Sequence, residues 1–255
     1  MRWKTFSIIL IVSFLSGLLS FPFFYLNYIN FDYFLFDIIV LIVVSIIASF
    51  LISGLYSSNP GVSNLLQPIK GIEGKNIYLL IAFFIPLVIG LGGLIIVVLV
   101  GTISIDVNYF IPLLSMTLVF PHVFFFGGGN EELGWRGYAT PLLLKKYNPL
   151  LSGLIIGIIW SVWHAPLHFI GFAGGGWIGL LYRFLYNIPF GIIFTWYYIK
   201  SQGNLLGAIV LHTSINIYYN VFFGASDYIT LIYIVLALFL IVYEKMWKKL
   251  SIQDD

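Results

Sequence analysis

The apolar run at residues 124–138, FFFGGGNEELGWRGY, breaks into three glycines and then presents Glu131, Glu132 and Arg136. Glu132 and Arg136 are four residues apart, with the acid on the N-terminal side. On a helix that spacing puts them on one face in the favourable order for an ion pair. Glu131, rotated by about 100° from its neighbour, is then left to point elsewhere. A second cluster, WSVWHAPLHF, holds His164 and His168, again four apart, but with Pro166 between them, so ideal helical spacing is not assured. A third, GAIVLHTSIN, holds His212 and Asn216 at the same interval. There an imidazole and an amide share one helical face, and paired donors on a rigid element suit a developing oxyanion. A carboxylate, two imidazoles and an amide brought together in a dry setting make a hydrolytic site. The same Glu131, His164, His168 and His212 could instead hold a zinc ion whose bound water is the nucleophile. Asn187 and His122 read as packing or supporting residues, while Arg183, four residues before Asn187, is the exception to the charge pattern of the loops and reads as snorkelling to the interface near the outer end of its span.

The elements that carry these groups lie in a very apolar chain. Only 9% of the 255 residues are charged, 60% are hydrophobic and 19% aromatic, and the mean hydropathy is +1.02. A soluble domain has about 25% charged residues, so this surface is built for lipid. The apolar runs are too long for barrel strands. The fold class expected is an all-α membrane protein, a bundle of about eight transmembrane helices around a polar intramembrane cavity. Candidate spans are 5–29, 34–56, 77–101, 109–130, 150–170, 178–199, 204–222 and 228–247. They make up a single polytopic membrane domain over 1–255. Within it, 1–108 is an N-terminal three-helix region, 110–220 holds the chemistry, and 228–255 is the last helix with a cytoplasmic tail. Ionisable residues at membrane depth face interior cavities rather than lipid, and the four middle spans hold nearly all of them. The apolar N-terminus reads as a first span that is retained rather than a cleaved signal.

Lysine and arginine alternate with the loops. Arg2 and Lys4, Lys70 and Lys75, Lys145 and Lys146, Lys200, and Lys245 with Lys248 and Lys249 fall on one side, while Asp32, Asp106 and Asp227 mark the other. The positive-inside rule then places both termini in the cytoplasm. The net charge of +2 offers nothing to nucleic acid, and with no cysteine the chain has neither disulfides nor thiolate chemistry. By these boundaries His164 lies about 21 Å into its span and His212 about 12 Å into its own, with Glu131 at the end of the fourth. A common site therefore requires tilted spans or shifted boundaries.

The stretch EELGWRGYATPLLLKKYNPLLSGLIIGIIWSVWHAPLHF, followed by GNLLGAIVLHTSIN, resembles the CAAX protease and bacteriocin-processing (CPBP, or Abi) family of intramembrane endopeptidases over residues 110–220. The motifs are Glu131, Glu132 and Arg136, then Trp160 with His164, then His212 with Asn216. Trp160 stands where that family more usually has phenylalanine. The resemblance implies a glutamic-type protease without a covalent intermediate or a cofactor. In it Glu131 activates water, His164 orients it, His212 and Asn216 donate to the oxyanion, and Glu132 and Arg136 hold the local geometry. Trp160 and His168 are supporting residues. The implied partners are membrane lipid and a peptide or lipidated protein, either a prenylated CAAX C-terminus or a bacteriocin or pheromone peptide. A non-catalytic immunity or partner-binding role is the alternative outside enzymology. The H-E-x-x-H, paired-aspartate and serine-turn patterns of other intramembrane proteases are absent from the sequence.

Overall fold

In a computed structural model the structure describes residues 76–101, 120, 123–124, 129–169 and 175–250, all within one compact unit, Pro68–Asp255. The first two candidate spans, most of the fourth and His122 lie outside the described residues. So do Lys70, Lys75, Asp32 and Asp106 of the charge pattern.

The described residues are all-helical, with no strand. Helix α1 is Asn76–Val100. A broken helical run then covers residues 129–144. Helix α2 is Pro149–Trp163 and α3 is the short Ala165–Phe169. Helix α4 is Gly176–Lys200, α5 is Leu205–Val221 and α6 is Ser226–Tyr243. Helices α1, α4 and α6 are long and apolar enough to cross a membrane, and the chain is an integral membrane protein. Their outward faces are the inverse of a soluble surface. Leu80, Val88 and Ile95 of α1, Leu181 and Leu185 of α4, and Val235, Leu238 and Phe239 of α6 are all exposed.

Start and stop signals are local. The Asn148 carboxamide accepts from the Leu151 amide at 2.8 Å, ahead of Pro149 in the first turn of α2. Asn204 caps α5 in the same way through the Gly207 amide at 2.9 Å. Such caps satisfy amides that have no partner in the first turn. Between α4 and α5, Gly203 adopts φ +80°, a conformation glycine takes without a side-chain clash.

The α2–α4 crossing depends on the absence of side chains. A Cβ on Gly153 would lie 2.8 Å from Ile192 Cα, one on Gly157 would lie 2.6 Å from the Asn187 carbonyl oxygen, and one on Gly191 would lie 2.4 Å from the Gly153 carbonyl oxygen. Without a hydrophobic drive between helices in lipid, close backbone approach of this kind is what holds them together. Buried hydroxyls bond back to their own helices. Ser161 donates to the Gly157 carbonyl at 2.8 Å, Thr195 to Gly191 at 2.7 Å and Thr213 to Ile209 at 2.8 Å.

One end of the bundle is tied together by polar contacts. Asn148 donates to the Trp247 carbonyl at 3.0 Å and the Leu150 amide to Met246 at 3.0 Å. Lys200 pairs with Glu244 at 2.7 Å, and Trp196 donates to the same carboxylate at 3.2 Å. The Lys200 ammonium holds the Glu244 carboxyl below its ordinary range. The start of α2 and the ends of α4 and α6 thus share one end, which carries Lys145, Lys146, Lys200, Lys245, Lys248 and Lys249.

The main departure from the expected boundaries follows Glu131. The fourth span was expected to end at residue 130. Instead the chain runs as a 3₁₀ turn (Gly129–Glu131), an α turn (Glu132–Gly134), a π turn (Trp135–Ala139) and another α turn (Thr140–Leu144). The lysine-bearing turn therefore falls at residues 145–148. The charges do not end the run, because Glu132 and Arg136 neutralise each other in the interior, and the Thr140 hydroxyl donates to the Trp135 carbonyl at 2.9 Å.

Candidate active site

The boundary shift brings the three motifs to one level. Glu131 lies 13 residues before Leu144, and Trp160 lies 11 residues after Pro149 on a helix leaving the same turn. At 1.5 Å per residue those are about 20 and 16 Å from that turn. The broken run packs against α5. A Cβ on Gly129 would sit 2.9 Å from Ile209 Cγ2 and 3.0 Å from Thr213 Oγ1, so one of the three glycines is required by close approach.

Glu132 and Arg136 form the ion pair read from their spacing. Nη1 lies 2.9 Å from Oε2 and 3.0 Å from Oε1, and both side chains are fully buried. A third partner was not anticipated. His212 Nδ1 sits 2.7 Å from Glu132 Oε1. Glu132 is therefore held from two sides and anchors α5 to the broken run. A charge buried this deeply persists only when paired. The guanidinium is sandwiched as well, 4.1 Å from the Phe194 ring centroid and 5.4 Å from that of Trp160. Those π faces lie beside a guanidinium whose Nε and Nη2 have no hydrogen-bond partner among the described residues.

Glu131 has a different setting. It is partly exposed, and the Trp160 indole N–H donates to its Oε2 at 2.9 Å. The Trp160 ring lies 5.2 Å from the His212 ring, centroid to centroid, 6.1 Å from His164 and 6.3 Å from Trp135. One indole thus touches groups from all three motifs. A phenylalanine there would fill the space but could not donate to Glu131.

His164 closes α2. Its Nδ1 lies 2.8 Å from the Trp160 carbonyl oxygen. A carbonyl only accepts, so Nδ1 carries the proton and Nε2 is the outward-facing nitrogen. His212 has the same polarity, with Nδ1–H directed at the Glu132 carboxylate. Carboxylate and carbonyl partners of this kind fix both the tautomer and the ring orientation of a functional imidazole. His168 falls on α3, beyond the break at His164 that Pro166 imposes, and is buried beside α4. It does not continue the helical face of His164. Asn216 stands one turn beyond His212 on α5 and is partly exposed. Among the described residues no three His, Asp or Glu side chains are grouped to hold a metal ion.

Sequence reasoning gave the acids, the arginine and the imidazoles. It missed Trp135 and Phe194, whose rings pack against Trp160, the latter also under the Arg136 guanidinium. In a chain that is 19% aromatic, no spacing singles those two out.

Residues 112–218 match the family model described as Type II CAAX prenyl endopeptidase Rce1-like. The chain is also 36% identical over 115 residues to CAAX prenyl protease 2 of Methanococcus maripaludis, a match covering 42% of this chain and 40% of that protein. It thus spans about two-fifths of the relative's length. The resemblance read from the motifs stands over the helices that carry them.

Proposed function

From the Rce1-like CAAX endopeptidase match over residues 112–218, we propose that this chain is an intramembrane endopeptidase. It cleaves prenylated CAAX-type or other membrane-associated peptides near their C-terminus, and Glu131 is the base. The contrast between the two glutamates carries this reading. Glu132 is fully buried, with Oε1 bonded by Arg136 and His212 and Oε2 at ion-pair distance from Arg136. Glu131 is partly exposed, with Oε2 held by an indole N–H. A general base must reach a water, and of the two carboxylates the partial exposure of Glu131 supports that role.

In the proposed reaction Glu131 takes a proton from a water that attacks the scissile carbonyl. Nε2 of His164 orients that water. The tetrahedral oxyanion is met by His212 and by the Asn216 amide. Because Nδ1–H of His212 is committed to Glu132, His212 donates to the oxyanion through Nε2 only as an imidazolium, whose charge the Glu132 carboxylate stabilises. Glu132 thus acts through His212 rather than on water. Each oxyanion donor contributes about 3 kcal/mol. Collapse of the intermediate returns the proton to the leaving amine. In this proposal the lipidated peptide reaches these groups from the bilayer, between α2, α4, α5 and the broken run. The lysine-rich end faces the cytoplasm, and the substrate enters from that side.

Glu131→Gln should abolish cleavage of a prenylated CAAX peptide by purified protein while leaving a monodisperse, folded sample. Retained hydrolysis would remove Glu131 as the base, and retained biological activity without hydrolysis would favour the partner-binding role. As proposed, the reaction uses no cofactor. The zinc reading draws its support from the two Nε2 atoms left outward by the Nδ1 hydrogen bonds. Metal depletion separates the two: cleavage should persist after exhaustive chelation, and loss restored by zinc would assign the water to a metal.

A further inference from the structure

The α2–α4 interface holds donors that the reaction above does not use. Arg183 is partly buried, and its Nε has neither solvent nor, among the described residues, an acceptor. No carboxylate of the described residues pairs with its guanidinium. Asn187, one turn further along α4, is 2% exposed, and its Nδ2 is likewise without an acceptor among the described residues. Trp163 Nε1, on the residue next to His164, is a third buried donor of this kind. Buried N–H groups without acceptors are few in native proteins, and each calls for a physical reason. A guanidinium in a low-dielectric interior without a counter-charge calls for one most of all.

The position of these groups supplies it. The Ser161 hydroxyl lies 3.4 Å from the Arg183 carbonyl, so Arg183 stands against the turn of α2 that carries Trp160 and His164. The Trp160 indole in turn holds Glu131, and the Arg183 guanidinium is electrostatically coupled to that carboxylate. The two are nevertheless not an ion pair. A cation thus stands within electrostatic reach of the proposed base without being paired to it. An endopeptidase acting a few residues from a chain end meets one anion on every substrate, the free α-carboxylate. Three extended residues reach about 10 Å beyond the scissile bond, the scale of one helix–helix spacing.

Resting on the endopeptidase reading, we propose that Arg183 binds the C-terminal carboxylate of the peptide substrate, with Asn187 as a second donor. Arginine meets a carboxylate through two parallel N–H bonds. Such an anchor measures cleavage from the chain end and disfavours peptides whose C-terminus is blocked.

The test compares one prenylated peptide ending in a free acid with the same peptide ending in an amide. The wild-type protein should cleave the acid about 10- to 100-fold more efficiently in kcat/KM, the range of a charge-assisted contact. Arg183→Gln should bring the acid-to-amide ratio close to one, and Arg183→Lys should restore part of it. Equal cleavage of the two peptides by the wild-type protein would overturn the proposal without any variant. So would a full acid preference retained in folded Arg183→Gln. Binding of both peptides to the Glu131→Gln protein, read by fluorescence anisotropy, keeps this test apart from the hydrolytic one. An acid preference there supports the anchor whatever becomes of Glu131 as the base, and equal affinities count against it.

Discussion

At the residue scale the two adjacent glutamates divide the labour through their surroundings. Glu132 has a guanidinium on one side and an imidazole on the other, and no water can reach it. Glu131 has an indole N–H and partial exposure. The Trp160 contact is the distinctive detail, because it gives the ring at this position a polar task. Trp160→Phe should lower kcat by about tenfold or more, the worth of one charge-assisted hydrogen bond, with KM little changed. Steady-state kinetics on a prenylated peptide read this directly. A kcat equal to wild type would show the indole N–H to be idle. Glu132→Gln should lower kcat as well, since it removes the counter-charge of the His212 imidazolium, and thermal melts should register the loss of the buried pair at about 3–5 kcal/mol.

At the element scale the broken run and the glycine crossing fix where those residues stand. The π turn at Trp135–Ala139 lies between Glu132 and the lysine-bearing turn, and wide turns of this kind accompany functional sites. The crossing of α2 over α4 sets the distance from Trp160 to Phe194, whose rings meet edge to face at 6.1 Å. Gly157→Leu should push the helices apart, since even a Cβ would lie 2.6 Å from the Asn187 carbonyl oxygen. A stability loss of about 1–3 kcal/mol is expected from overpacking, together with loss of cleavage. An unchanged melting temperature in detergent would mean that the crossing has slack.

At the scale of the whole molecule, the lysines of the described residues sit at one end and apolar side chains face outward along the helices. With no cysteine in the chain, a single Lys146→Cys is a clean reporter of orientation. An impermeant maleimide should label it only after cells are opened, and labelling in intact cells would invert the proposed topology. The Lys200–Glu244 pair at that end contributes about 1 kcal/mol or less. Because Glu244 is depressed below 4.5 in the folded protein, its contribution is present above about pH 4.5 and fades as pH falls through the folded value. Glu244→Gln should flatten that acid limb of the melting curve and leave neutral stability almost unchanged.

The sequence by itself determined the lipid-facing class, the positions of α1, α4, α5 and α6 within a few residues, and the Glu132–Arg136 pair. These follow from local rules: apolar length, caps such as Asn148 and Asn204, and a four-residue helical interval. It also named the acids and imidazoles, because a charged group in so apolar a chain is conspicuous. Only the tertiary structure decided which glutamate is fully buried and which keeps partial exposure, that His212 turns its Nδ1 to Glu132, and that Trp160 holds Glu131. Those outcomes depend on contacts between residues 29 and 80 positions apart. They depend too on a helix that continues past its charges because those charges pair, and one-dimensional hydropathy reads that stretch as an end.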